Sequence, residues 1–186
     1  PLIKVITGIR RCGKSTLLSL FADHLIQSGI SESQIIRINF ESFEFVEITD
    51  YKELHAYIQA CMRNPQDRYY LLLDEIQQVR SWEKVINSFL VDANVDIYLT
   101  GSNAYLLSSE LSTLLSGRYV EIKMLPLSFK EYLTFTGTDN QQNLIVSFNN
   151  YLKFGGLPTI VELLDLPDTI SPFLEGIYHT VLIKDV

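Results

Sequence analysis

The chain has 186 residues, a formal net charge of −7 and two cysteines. That length suits one medium domain, or a domain with a small appendage, and the acidic balance argues against a general nucleic-acid coat. Cys12 and Cys61 are too few and too far apart for a disulfide framework or a zinc motif, no apolar run reaches the ~18 residues of a membrane span, and no signal-like leader precedes the first strand, so a cytoplasmic setting is expected.

The first element, Leu2 to Thr7, reads as a short buried strand. It runs into Gly8-Ile9-Arg10-Arg11-Cys12-Gly13-Lys14-Ser15-Thr16, which fits G-x-x-x-x-G-K-[ST] without a mismatch. A helix follows, with Leu17, Leu18, Phe21, Leu25 and Ile26 at helical spacing and Gly29 as its stop. Strand, glycine loop and helix together predict a phosphate-binding loop. Gly8 and Gly13 let the main chain close round a polyphosphate, and the helix N-terminus offers unpaired N–H groups to an anion. Lys14 can reach the β- and γ-phosphates, and Ser15 supplies a hydroxyl for Mg²⁺. Arg10, Arg11 and Lys14 make this loop a positive spot on an acidic protein. Cys12 beside Lys14 and a helix start is either a reactive thiol or a small filler.

Ile35 to Glu41 reads as strand two. Asn39 and Glu41 at its end either face the ligand crevice or sit in water. Asp50-x-x-Glu53 predicts a capping box before a helix carrying Leu54, Tyr57, Ile58 and Cys61. Arg68 to Glu75 is a continuous apolar run closed by two acids, the pattern of a central parallel strand. With a phosphate loop about 60 residues upstream, an apolar strand ending Asp74-Glu75 reads as Walker B: Asp74 for the Mg²⁺ shell, Glu75 to orient or deprotonate the attacking water.

Ser81 is expected to cap a helix whose buried side is Val85, Ile86, Phe89 and Leu90, with Trp82 as an anchor. Val95 to Asn103 is strand four with a polar end, where Ser102 and Asn103 either sense the γ-phosphate or cap the next helix. Arg118, before a fifth strand from Tyr119 to Leu125, is the arginine-finger candidate, in cis or from a neighbouring subunit; the alternative is a salt-bridged loop arginine. Ser128-x-x-Glu131 is a second capping box, and from there only helical patterns follow: 129–135, 141–154, 159–164 and 171–186. The expected division is an ATPase core over 1–126 and a helical lid over 127–186, within a longer protein cut at both ends. His24, His55 and His179 lack metal-ligand spacing.

Residues 8–18 (G-I-R-R-C-G-K-S-T-L-L), 71–83 (L-L-L-D-E-I-Q-Q-V-x-x-W-E), 99–119 (L-T-G-S-N-A-x-L-L-S-x-E-L-x-T-x-L-S-G-R-Y) and 126–132 (P-L-S-F-x-E-Y) together resemble a large group of prokaryotic AAA-type ATPases. That group is close to the archaeal ATPase and STAND lineages and usually carries a C-terminal domain of poorly known function. The resemblance implies an α/β P-loop fold with a five-stranded parallel sheet in order 5-1-4-3-2, followed by helices. Gly156-Leu157-Pro158 resembles the G-x-P element of that lineage, which implies that Pro158 lies near the adenine. The functional expectation is Mg²⁺-dependent ATP hydrolysis coupled to conformational change; the alternative is a nucleotide-gated switch that binds ATP or ADP with negligible turnover. No guanine-reading N-K-x-D motif occurs. A homo-oligomer and a protein or nucleic-acid client are open as partners, and no membrane is expected.

Overall fold

A computed structural model of the protein describes residues 2–101, 115, 117–137 and 141–184. Five strands, β1 (Ile3–Thr7), β2 (Ile35–Asn39), β3 (Tyr69–Asp74), β4 (Val95–Thr100) and β5 (Tyr119–Lys123), form one all-parallel sheet in the order β2-β3-β4-β1-β5. This is the expected order read from the other edge. The three inner strands are buried nearly throughout, as continuous apolar sequence requires when helices cover both faces. At the edges, β2 alternates between buried and exposed positions and β5 is largely exposed.

Three helices belong with the sheet: α1 (Lys14–Gln27), α2 (Tyr51–Cys61) and α3 (Trp82–Asp92). On α1 the buried stripe is Leu18, Ala22 and Leu25, while Ile26, expected on that face, is exposed. Ala22 takes the place because it lies four residues beyond Leu18 on the same face. The capping box of α2 forms as expected, with Asp50 Oδ1 accepting from Lys52 N–H at 2.8 Å and Glu53 Oε2 accepting from Asp50 N–H at 3.1 Å. Backbone donors hold the Asp50 and Glu53 carboxyls below their ordinary pKa values. Ser81 corrects its expectation: it is left-handed (φ 56°) and its side chain caps nothing. Helix α3 starts there because Trp82, 2% exposed, anchors its first turn in the core.

By its contacts the chain forms two compact units. One gathers β1 and the chain from Lys14 to Lys123; the other gathers Gly8–Gly13 and the chain from Met124 onwards. The second unit holds α4 (Phe129–Thr136), α5 (Gln141–Phe154), α6 (Pro158–Glu162) and α7 (Pro167–Lys184). The Ser128–Glu131 capping box opens α4, with Ser128 N–H donating to Glu131 Oε2 at 2.7 Å. Helix α7 starts earlier than expected. Pro172 reads as a helix start, but Pro167 takes the first-turn position and Pro172 falls inside. Leu157, Ile160 and Ile170 form a small core, with Phe154, Phe173 and Leu174 packed against it. A second cluster stacks Phe129, Tyr132, Phe148 and Tyr151 at ring distances of 5.1 to 6.3 Å. Among the described residues no helix is long and apolar enough to cross a membrane.

Candidate functional site

The register pairs Ile6 with Thr100 and Leu73 with Leu99, so β1, β4 and β3 end side by side. In an open parallel sheet the crevice beyond the strands' carboxyl ends is where ligands bind. Three stretches of sequence deliver side chains there. Helix α1 opens with Lys14, 5% exposed, followed by the exposed Ser15 and Thr16 on its first turn, where backbone N–H groups lack helical acceptors. Strand β3 ends on Asp74 and passes to Glu75, respectively 5% and 7% exposed. Strand β4 ends on Thr100, which is fully buried.

Thr100 joins the two acids. Its hydroxyl donates to Asp74 Oδ1 and accepts from Glu75 N–H at 3.0 Å. One hydroxyl has the capacity for both roles. Among the described residues no lysine or arginine forms an ion pair with Asp74.

Glu75 is left-handed (φ 58°, ψ 46°), a conformation that costs a non-glycine residue about 1–2 kcal/mol. It leads a 3₁₀ turn (Ile76–Gln78) closed by Gln78 N–H to Glu75 O at 3.1 Å and Val79 N–H to Ile76 O at 3.0 Å. Ile76 and Val79 are buried and pin the turn to the core. Gln77 Nε2 donates back to Glu75 Oε2. Among the described residues no group of three or more His, Cys, Asp or Glu forms a metal cluster.

Asn39 and Glu41 are both exposed at the end of β2, where Asn39 Oδ1 accepts Glu41 N–H at 2.9 Å. Arg118 is exposed, and its carbonyl accepts Ile3 N–H at 2.9 Å, which fixes it at the amino end of β5. That is the far end of the sheet from Asp74 and Glu75, about 13 Å away along the length of β1 alone. Ser102 and Asn103 lie outside the described residues.

Within the second unit, the loop Gly8–Gly13 packs against Met124. A Cβ on Gly8 (φ 154°) would lie 2.4 Å from the Met124 carbonyl oxygen and 2.8 Å from Cys12 Sγ, so this position admits only glycine. Cys12 is buried, which matches the small-filler alternative. Arg11 is left-handed (φ 63°), with its guanidinium 5.0 Å from the Phe173 ring centre. Gly156 is buried under the Leu127 carbonyl, 2.2 Å from where a Cβ would stand, and its own carbonyl accepts Leu127 N–H at 2.7 Å. Pro158 follows as the first residue of α6.

Thr100, Gln77 and Met124 were not singled out from sequence. The available signal for Thr100 is a polar residue closing an apolar strand, two residues before Ser102. Gln77 was hidden because a turn glutamine is an ordinary surface residue.

The profile of the AAA domain family matches residues 1–133. An uncharacterised protein of Haemophilus influenzae is 47% identical over 186 residues, 99% of this chain, and the chain spans 46% of that relative's length. The Aeropyrum pernix ORC1 protein, solved in complex with DNA, superposes with a TM-score of 0.59 at 14% identity, over 96% of this chain and 58% of that one. AMPPCP-bound DnaA from Aquifex aeolicus gives a TM-score of 0.57 at 15% identity, over 89% of this chain and 56% of that one. At such identities the two solved structures bear on the fold alone.

Proposed function

Since the chain belongs to the AAA domain family, whose members are P-loop nucleotide-binding domains, we propose that it binds ATP with Mg²⁺ and hydrolyses the β–γ phosphoanhydride, coupling the reaction to conformational change. The observation that carries this reading is the buried Asp74–Thr100–Glu75 arrangement at the carboxyl end of the sheet, beside the strand that leads to Lys14. A pure binder has no need of the second acid, and here its backbone is held in a strained conformation.

The roles follow from chemistry. Loop residues Gly8, Ile9, Arg10, Arg11, Cys12 and Gly13, with the N–H groups at the start of α1, surround the phosphates. Lys14 supplies a point charge to the β- and γ-phosphates. Glu75 takes the proton from the attacking water. Ser102 and Asn103 register the γ-phosphate, and Pro158 lies against the adenine. Mg²⁺ favours one or two carboxylate or hydroxyl oxygens completed by phosphate and water. Asp74, a buried carboxylate held by a hydroxyl rather than by a cation, and Ser15 on the first turn of α1 fit that demand. The ion's contribution is to offset phosphate charge. Residues 1–126 act as the ATPase core and 127–186 as a lid.

A nucleotide-gated switch is the second reading. Arg118 stands at the opposite end of the sheet from Glu75, so a chain that never receives this finger from a neighbouring subunit lacks one at its own site. In that case a lone chain binds ATP without turning it over.

The test is ATP binding and turnover by the full-length protein across a concentration series. Glu75→Gln is expected to keep ATP bound and to lower turnover by about 10²-fold or more. Lys14→Ala is expected to weaken ATP binding by about 10²-fold, since it removes a charge-assisted phosphate contact. Unchanged turnover in Glu75→Gln removes it as the base, and ATP bound without turnover at every concentration selects the switch.

A further inference from the structure

The turn after Glu75 contains two adjacent glutamines with opposite fates. Gln78 is exposed, whereas Gln77 turns inward and donates Nε2–H to Glu75 Oε2. The other end of the Gln77 amide, Oε1, is buried with no hydrogen-bond partner. A buried polar atom without a partner is rare and calls for an explanation. Packing does not provide one, because Ile76 and Val79 already anchor the turn and an aliphatic residue at 77 would leave no acceptor stranded. The amide carries that cost while it keeps a donor on one particular carboxylate oxygen. It does so beside a residue whose own backbone is left-handed.

We infer that Gln77 is a positioning residue for Glu75. Its Nε2–H occupies Oε2 and holds the carboxylate in one rotamer. Thr100 holds the Glu75 N–H, the buried turn holds its carbonyl, and Gln77 holds its head. A carboxylate held in one rotamer offers its lone pairs in fixed directions, which is what oriented general-base catalysis needs. The kinetic part of this inference rests on the hydrolytic reading above; the contact itself does not.

Two measurements on the full-length protein test it. In the first, side-chain amide resonances are recorded with ¹⁵N-glutamine labelling and the Gln77 pair is assigned by its loss in Gln77→Leu. The pair is expected away from the free-amide position and should return there in Glu75→Ala; a pair that does not respond to Glu75→Ala overturns the proposal. The second is kinetic. Gln77→Leu is expected to lower kcat by about 30-fold or more while the ATP dissociation constant stays within about 3-fold, and Gln78→Leu should leave both unchanged. In Gln77→Glu the new carboxyl can donate to Glu75 only when protonated. Its activity relative to the unaltered protein should therefore rise by about 10-fold as the pH falls from about 8 to 6. A merely structural defect would give a flat ratio, and a flat ratio overturns the proposal. If the unaltered protein shows no turnover while the amide pair responds to Glu75→Ala, the contact stands and the hydrolytic reading falls.

Discussion

The two ends of the sheet bury carboxylates in opposite ways. At the amino end, Asp96 on β4 is 8% exposed; it pairs with Lys4 on β1 and with Arg68 at 3.2 Å, and it accepts the Tyr98 hydroxyl at 3.3 Å. At the carboxyl end, Asp74 is equally buried, yet its partner is the hydroxyl of Thr100. A buried charge that is neutralised by its own chain is complete as it stands. Asp74, held by a hydroxyl, has no charged partner among the described residues. A single sheet thus carries an ion-paired carboxylate at one end and a hydroxyl-held one at the other, the end where the proposed function places the ligand.

Removing the acid at each end gives the largest contrast. Asp96→Ala should cost about 2–3 kcal/mol in denaturant unfolding, below the usual figure for a broken buried pair because Arg68 is 56% exposed and Lys4 25%. Asp74→Asn should cost less than about 1 kcal/mol, since it removes a carboxylate that no lysine or arginine among the described residues pairs with. Equal losses would break the comparison. Next comes Thr100→Val, expected to cost about 1–2 kcal/mol because it strands both an Asp74 oxygen and the Glu75 N–H. Smallest is an alkaline effect at the amino end. Burial and the neighbouring Asp96 push the Tyr98 hydroxyl up to about 12 from its ordinary 10.0. The folded state therefore holds that proton more tightly than the unfolded chain. The resulting stabilisation is full below pH 10 and lost as the pH rises towards about 12. The unfolding free energy measured across that interval should fall less steeply in Tyr98→Phe.

Much of this was legible in the sequence because it is written locally. Capping boxes at Asp50 and Ser128 need only residues three apart, and the apolar runs of β1, β3 and β4 announce their own burial. The strand order came from a family resemblance rather than from any local pattern. What escaped local reading depends on groups distant in sequence. Ile26 lost its place to Ala22 because helix periodicity allows several faces and the sheet selects the one that carries Leu18, Ala22 and Leu25. Ser81 looks like a cap, but burial of Trp82 sets the start of α3. Thr100 matters because β4 lies next to β3, and Gln77 because a left-handed residue turns its side chain inward. The packing of Gly8 against Met124 spans most of the chain and leaves no trace in either neighbourhood.

The strand order also sets a schedule for folding. β1 precedes the other four strands in the chain, yet its neighbours in the sheet are β4 and β5, while β2, β3 and β4 pair in succession. The nascent chain therefore carries Ile3–Thr7 as an unpaired apolar segment until β4 has been made. Contacts of such long range are slow to close, and a waiting strand of this composition is a target for misassociation and for chaperones. Arg118, whose carbonyl binds Ile3 N–H, arrives with the last strand, so β1 acquires its second neighbour only when the candidate finger is already in place.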